Sequence, residues 1–94
     1  MLYSDLVDRI CELHPDLTEA EIARACRVIF RTIETALARG DRVELRGFGS
    51  FFVTERDART VHNPKTGERI DKKAGRVPRF RAGKPLAERL REGR

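Results

Sequence analysis

Apolar residues follow a helical period in about the first 40 residues of the chain and a strand period after them. Leu6, Ile10 and Leu13 recur at helical spacing, which predicts a first helix over about 4–13. We expect Ser4 to cap this helix, because a serine at a helix start accepts a hydrogen bond from the first turn. The first proline of the chain then ends the pattern.

The second predicted helix is the longest element of the chain. Thr18 and Glu21 have the spacing of a capping box at its start, and Gly40 is the expected stop. Its apolar side chains form one stripe at helical period: Ile22, Cys26, Ile29, Phe30, Ile33 and Leu37. Because one short helix is too small to bury the whole stripe, we expect the chain to dimerise through this helix and the sheet.

After residue 40 the apolar pattern changes to alternation. Residues 42–46 predict a strand, followed by a tight glycine turn over 47–49 and a second strand over 50–55. A returning strand is expected over 76–81, where a proline favours an edge position or a bulge. Residues 83–91 predict a short last helix with a proline in its first turn, where the missing N–H costs little.

The stretch 56–75 has only two large apolar residues, Val61 and Ile70, so it has no core of its own. Its run 63–67, Asn-Pro-Lys-Thr-Gly, suits the tip of a hairpin, because proline sets the first φ of the turn and glycine takes its left-handed position. We therefore predict a polar, basic hairpin that projects from a compact body. A disordered loop is the alternative.

These elements predict one α+β domain over 1–94 that pairs into an intertwined dimer. It has two N-terminal helices, a three-stranded antiparallel sheet with a long extended β-hairpin arm, and a short C-terminal helix. The predicted parts are a helical dimerisation part over 1–40, sheet over 41–55 and 76–82, a basic β-arm over 56–75, and a C-terminal helix and tail over 83–94.

Charge is distributed unevenly along the chain, which has a formal net charge of +5. Residues 1–53 contain 7 Lys/Arg against 9 Asp/Glu, whereas residues 54–94 contain 13 against 6. A basic second half on a neutral-to-acidic first half predicts a surface that binds a polyanion. A solvated surface of mixed charge is the alternative.

The sequence favours neither a membrane protein nor an enzyme. No stretch has the length and apolar character of a membrane span or signal peptide, so we expect a cytoplasmic protein with reduced thiols. Cys11, His14 and Cys26 would give three zinc ligands, but a fourth is missing and Cys26 lies on the apolar stripe. We expect no metal, no cofactor and no catalytic residues, since no nucleophile motif or phosphate-binding glycine loop is present.

Three segments carry the pattern of a known family. Residues 40–51 resemble the core signature of the bacterial HU and integration host factor family, 56–68 resemble its DNA-binding arm, and 77–84 resemble its closing strand and third helix. They follow the family's order and span essentially the whole chain. Glu44, Arg46 and the Asn-Pro-Lys-Thr-Gly tip look more like the beta subunit of integration host factor than like HU.

The resemblance implies a nucleoid-associated architectural protein that binds the minor groove of double-stranded DNA as a dimer and bends it by intercalating Pro64 between base pairs. Such bending would support recombination, replication, transcription regulation and DNA compaction. Glu44 and Arg46 are then expected to read bases. The residues predicted to contact DNA are Arg42, Glu44, Arg46, Arg56, Arg59, His62, Asn63, Pro64, Lys65, Arg69, Arg79, Arg81 and Lys84. The alternatives are an ordinary turn proline at Pro64 and a simple ion pair between Glu44 and Arg46.

The chain departs from the family pattern at several positions. Val61 and His62 stand where glycine and arginine are usual, Asp57 adds an anion to the arm, Tyr3 stands where lysine is common, and Phe52 faces outward where a polar residue is usual. Two pairings stay open: a sequence-preferring heterodimer with a homologous alpha-type subunit, and a non-specific HU-like homodimer. A basic dimeric scaffold for RNA, acidic proteins or anionic membrane is the alternative from another class.

Overall fold

Two structural units make up the chain in the computed structural model, which describes residues 1–93. Met1–Thr35 form the first unit, and the second unit begins at Ala36. Helix α1 spans Tyr3–Leu13 and helix α2 spans Glu19–Ala38, so the last three residues of α2 belong to the second unit.

The start of α1 differs from the predicted one. Leu2 is the residue before the helix, and its N–H donates a 2.7 Å hydrogen bond to Oδ2 of Asp5. Ser4 therefore lies inside the first turn, and the prediction that Ser4 caps the helix is wrong. The Asp5 carboxylate binds the free N–H instead, and its negative charge suits the positive end of the helix dipole.

Both ends of α2 lie where the sequence predicts them. The Glu21 N–H donates to Oγ1 of Thr18 at 3.1 Å, and the Thr18 N–H donates to Oε1 of Glu21 at 3.3 Å, which confirms the capping box. At the other end, the Gly40 N–H donates to the Leu37 carbonyl at 2.9 Å and terminates the helix.

The core of the first unit is small. Its buried residues are Val7, Ile22 and Cys26. By contrast, two residues of the apolar stripe of α2, Ile29 and Phe30, stay 44–58% exposed, as does Val28, which precedes them in the sequence. Because apolar burial is the main stabilising term in a small protein, a stripe left half uncovered within one chain suits packing against a second chain.

In its described residues after α2, 39–93, the second unit contains five strands and one helix. They are β1 (Val43–Leu45), β2 (Gly49–Arg56), β3 (Arg59–His62), β4 (Arg69–Lys72), β5 (Gly75–Ala82) and α3 (Lys84–Arg91). Strand β2 lies between β1 and β5 in a three-stranded antiparallel sheet, whereas β3 and β4 form a separate two-stranded sheet. The predicted α+β arrangement is confirmed, and Pro78 lies in an edge strand as expected.

The inner face of the three-stranded sheet carries aromatic rings. Phe51 and Phe80 are register partners whose ring centroids lie 4.9 Å apart, and the Phe48 ring lies 5.3 Å from that of Phe80. A Cβ on Gly49 would lie 2.5 Å from the Phe80 ring, so only glycine allows this close approach. Phe48 and Phe80 stay 47% and 42% exposed, so this face is also incompletely covered.

Candidate nucleic-acid interface

The outer face of the three-stranded sheet is formed by side chains that the strand register brings side by side. Ser50 of β2 pairs with Glu44 of β1 and with Arg81 of β5, and Phe52 pairs with Arg79. Since side chains alternate between the two faces of a strand, these five lie on one face, opposite the aromatic rings of the inner face. Three predicted DNA contacts, at 44, 79 and 81, therefore share the outer face.

Phe52 lies half-buried among cations on this face. The Cζ atom of Arg42, the residue just before β1, lies 5.3 Å from the centroid of the Phe52 ring, and Cζ of Arg81 lies 5.8 Å from it. Nearby, Nε of Arg79 donates a long hydrogen bond of 3.4 Å to Oγ1 of Thr54. Two guanidinium groups thus lie against one aromatic ring, and Arg79 lies on the same face, an arrangement suited to phosphate.

Glu44 and Arg46, predicted to act together, are not ion-pair partners. Instead, Nε of Arg42 donates to Oε1 of Glu44 at 2.9 Å. Arg46 lies beyond the end of β1, in a turn that the Phe48 N–H closes on the Leu45 carbonyl at 2.9 Å. The prediction that the strand continues through Arg46 is wrong, because this turn ends the alternation one residue earlier.

Glu44 and Arg46 nevertheless line one shallow groove of the second unit. Its other walls include Ser50, Gly83 and Lys84, so the groove joins the edge strand β1 to the start of α3. The groove therefore gathers three predicted DNA contacts, at 44, 46 and 84, beside the outer face.

The hairpin formed by β3 and β4, with its tip and its links to the sheet, is the arm, residues 57–74. One face of this arm combines charge with apolar surface. Cross-strand pairing places Arg59 opposite Lys72 and Val61 opposite Ile70, and alternation puts both pairs on the same face. Lys72 was not among the residues predicted to contact DNA, although the hairpin register counted from the tip would have placed it beside Arg59.

The other face of the arm is polar. His62 pairs with Arg69, and Thr60 pairs with Asp71. Oδ1 of Asp71 accepts hydrogen bonds from Oγ1 of Thr60 at 3.0 Å and from Nε of Arg69 at 3.1 Å. Both charged side chains are about 70% exposed, so the ion pair contributes only about 0–1 kcal/mol and leaves Arg69 ready to exchange partners.

The tip of the arm is a hydrogen-bonded turn that exposes Pro64. The Asn63 N–H donates to the Glu68 carbonyl at 2.8 Å, and the Gly67 N–H donates to the Asn63 carbonyl at 2.7 Å. The Asn63 side chain also accepts from the Lys65 N–H at 2.9 Å. Gly67 has φ of +73°, the left-handed value predicted for the glycine of this turn.

Arg56 lies at the base of the arm. It is the last residue of β2 and the register partner of Gly75. Its Nη2 donates to the Lys73 carbonyl at 3.2 Å, across the point where both strands of the sheet end. The side chain of Arg56 therefore ties the arm to the sheet, a role that sequence reasoning missed.

The first unit contains the residues that were weighed as zinc ligands. Cys26 is buried in its core and Cys11 is half-buried beside it, both as free thiols. Burial raises the pKa of the Cys11 thiol, and the nearby Asp8 and Glu19 carboxylates raise it further. Such a thiol stays protonated and is a poor metal ligand. Among residues 1–93, no group of three or more His, Cys, Asp or Glu side chains is arranged to hold a metal ion.

The sequence and the fold of this chain are matched by known proteins. A family model described as bacterial DNA-binding protein matches residues 1–91. The chain belongs to this family of HU-type proteins. It is 40% identical to HU of Anabaena in a cocrystal structure with DNA, with a TM-score of 0.82 over 96% of this chain and 97% of that one. It is 28% identical to HU of Thermotoga maritima, with a TM-score of 0.66 over 96% and 98%.

Family membership decides the broad class of the protein. HU-type proteins are DNA-binding architectural proteins of the nucleoid, not enzymes, and they form dimers. The predicted relationship to HU is confirmed, as is the α+β fold. Within the part of the chain that the structure describes, no helix has both the length and the apolar character that crossing a membrane requires.

Proposed function

We propose that two copies of this fold, joined as a dimer, bind the minor groove of duplex DNA with their arms and bend it by inserting Pro64 between base pairs. The observation that carries this proposal is the exposed Pro64 at a tip held by three hydrogen bonds, on a hairpin with cations on both faces. HU and integration host factor are known examples of this mode of binding.

Pro64 has the properties of an intercalating wedge. Its ring is apolar and rigid, and it has no N–H that would be left without a partner between stacked bases. Unstacking one base step costs a few kcal/mol, which the contacts of the bent DNA with the protein repay. One wedge from each protomer would give two kinks in the duplex.

The remaining predicted contacts would act on phosphates. Those of the arm are Arg59, His62, Asn63, Lys65 and Arg69, with Arg56 at its base. Those of the body are Arg42, Arg79, Arg81 and Lys84. A narrow A·T-rich minor groove has enhanced negative potential and attracts the cations of the arm, whereas the body would hold the flanking duplex.

The dimer would form through the apolar surfaces that one chain leaves exposed. In the first unit these are at Val28, Ile29 and Phe30, and in the second unit at Phe48 and Phe80. Burying these side chains against a partner would supply the apolar area that a small protomer lacks.

A sequence-preferring heterodimer with an alpha-type subunit is the more specific form of this proposal. It is favoured by the groove that Glu44 and Arg46 share with Lys84, since these side chains would reach base edges together. The Arg42–Glu44 ion pair favours the alternative, a non-specific homodimer, because Glu44 is already engaged. Competition between selected and random duplexes at a stated salt concentration, with the purified chain alone, distinguishes the two.

The test of bending uses duplexes labelled at both ends with a fluorescence-energy-transfer pair. Saturating protein should bring the ends together, and Pro64→Ala should reduce this approach markedly while lowering affinity only a few-fold. Pro15→Ala, which changes a proline in the first unit, is the matched control and should bend DNA normally. An unchanged end-to-end distance with the unmodified protein would rule the proposal out.

A basic scaffold for RNA or acidic partners predicts a different result. Electrostatic adhesion to such partners depends on charge and salt, and Pro64 carries no charge. If Pro64→Ala leaves every measured property of the DNA complex unchanged, the scaffold becomes the better account.

A further inference from the structure

Phe52 occupies an unusual place for a large apolar side chain. It lies on the outer face of the sheet, on the central strand β2, with Ser50 and Thr54 as its neighbours on that face. The aromatic pairs of the sheet, Phe48–Phe80 and Phe51–Phe80, do not include it. Any stabilising contact of the Phe52 ring must therefore be with side chains that lie over it on the outer face.

Two guanidinium groups cover the Phe52 ring. Arg42 reaches it from the side of β1 and Arg81 from the side of β5, with Cζ-to-centroid distances of 5.3 and 5.8 Å. Both distances are within the range in which a cation is attracted to the face of an aromatic ring. The register pairs Phe52 with Arg79, so Arg81 lies on the diagonal, a position that long side chains reach.

Stacking on a ring has a special consequence for arginine. The guanidinium uses its flat π surface, while its N–H donors point outward in the plane. Arg42 uses its Nε–H to donate a hydrogen bond to Glu44. A stacked guanidinium is also confined to few rotamers, so less entropy is lost when it binds a phosphate.

We infer that Phe52 is a positioning residue that holds the guanidinium groups of Arg42 and Arg81 ready for two phosphates of bound DNA. This inference deepens the proposed function and rests on it only for the assignment of the outer face to DNA. The positioning depends on the shape of the guanidinium group as well as on its charge. A lysine at 42 or 81 would carry the same charge but would lack the planar group of N–H donors.

The experiment compares Phe52→Leu, which keeps apolar volume but removes the ring, with Phe52→Tyr, which keeps the ring. Binding of the full-length dimer to a random duplex is measured over a series of salt concentrations. We expect Phe52→Leu to weaken binding about tenfold and to reduce the slope of log K against log salt by about 1–2, as for the loss of one or two phosphate contacts. Phe52→Tyr should restore both to within about twofold of the unmodified protein.

A second set of variants separates positioning from stability. Arg81→Lys keeps the charge, and it should weaken binding about threefold in the unmodified protein but cause no further loss in Phe52→Leu. Thermal unfolding is followed in parallel, and binding is measured well below each midpoint. Additive effects of the two substitutions would overturn the inference, as would an unmodified salt slope in Phe52→Leu.

The result is independent of the outcome for bending. If Phe52→Leu reduces the salt slope while DNA bound by Pro64→Ala is bent as much as by the unmodified protein, then Phe52 positions the arginines and Pro64 does not intercalate. If Pro64→Ala straightens the DNA while Phe52→Leu binds normally, intercalation holds and positioning fails. A larger loss for single-stranded than for duplex DNA in Phe52→Leu would also overturn the inference, because it would assign the ring to base stacking.

Discussion

The arm and the outer face of the sheet are both basic, yet they hold their cations in different ways. On the outer face, Arg42 and Arg81 lie against one aromatic ring and Arg79 is hydrogen-bonded to Thr54. On the arm, residues 57–74 contain five Lys/Arg and three Asp/Glu, and the cations lie on both faces of a two-stranded hairpin. The body thus presents a fixed cluster, whereas the arm spreads its charge around a thin support.

This difference suits two tasks in DNA binding, which are holding the duplex and changing its shape. A fixed cluster suits phosphates whose positions are set by a regular duplex, because ordered donors lose little entropy on binding. Charge spread around a hairpin suits insertion into a groove, where walls lie on both sides. We therefore expect the body to control affinity and salt dependence, and the arm to control the shape of the DNA.

The largest effect is expected from removing the arm. Residues 57–74 are replaced by Asn-Gly, which joins the register partners Arg56 and Gly75 through a two-residue turn. We expect bending to be lost and affinity to fall about a hundredfold, because the wedge and five cations are gone. End-to-end transfer and salt-dependent binding measure both effects. If the shortened chain bends DNA normally, and circular dichroism shows that its body is folded, the assignment of bending to the arm is contradicted.

A smaller effect is expected from removing the cations of the outer face. Arg79→Ala with Arg81→Ala should weaken binding tenfold or more, at about 0.1 M salt, and reduce the salt slope by about 2, since each phosphate contact contributes about 0.9. Arg76→Ala is the matched control, because Arg76 lies on the same strand but pairs with Glu55 on the inner face. An equal loss per removed charge with Arg76→Ala would show that net charge, and not the outer face, governs affinity.

A third test compares two turns that each contain a glycine with positive φ. Gly67 in the tip of the arm and Gly47 in the body both have positive φ, and a Cβ at either would meet no atom within 4 Å. Alanine at each should therefore cost a similar 1–2 kcal/mol of local backbone strain. We expect Gly67→Ala to reduce bending and Gly47→Ala to lower the unfolding temperature. The reverse assignment would contradict the division of tasks.

The smallest effect is expected at Glu44. Glu44→Gln removes an anion from a cationic face and releases Arg42, so binding to random duplex should strengthen about twofold. Stability should change by less than about 0.5 kcal/mol, because both partners of the ion pair are exposed. If Glu44 reads bases, the same variant loses preference for a selected site in competition assays, which would sharpen the case for a heterodimer subunit.

Local rules predicted those parts of the structure that local interactions decide. The capping box of Thr18 and Glu21 fixed the start of α2, and alternation identified the strands. The glycine at the tip of the arm has the expected left-handed conformation. Each of these features depends on contacts between residues close in sequence, so the chain alone carries enough information.

Features that depend on competition or on long-range contacts were missed. Ser4 was a plausible cap, but the Asp5 carboxylate binds the free N–H of Leu2 instead. Alternation continues through Arg46 in the sequence, yet a turn hydrogen bond ends the strand at Leu45. The cation–π contact of Arg81 with Phe52 joins residues far apart in the chain, and only the register of β2 and β5 reveals it.

The small core of the first unit has a consequence for how the protein works in a cell. With only Val7, Ile22 and Cys26 buried among residues 1–35, the first unit has little to keep it folded in an isolated chain, so stability should rise with concentration by mass action. Dilution would then expose unfolded chains to proteases, and the number of working pairs would vary with the square of the chain concentration. Abundance would thus act as the control that sets how much of a chromosome is folded back on itself.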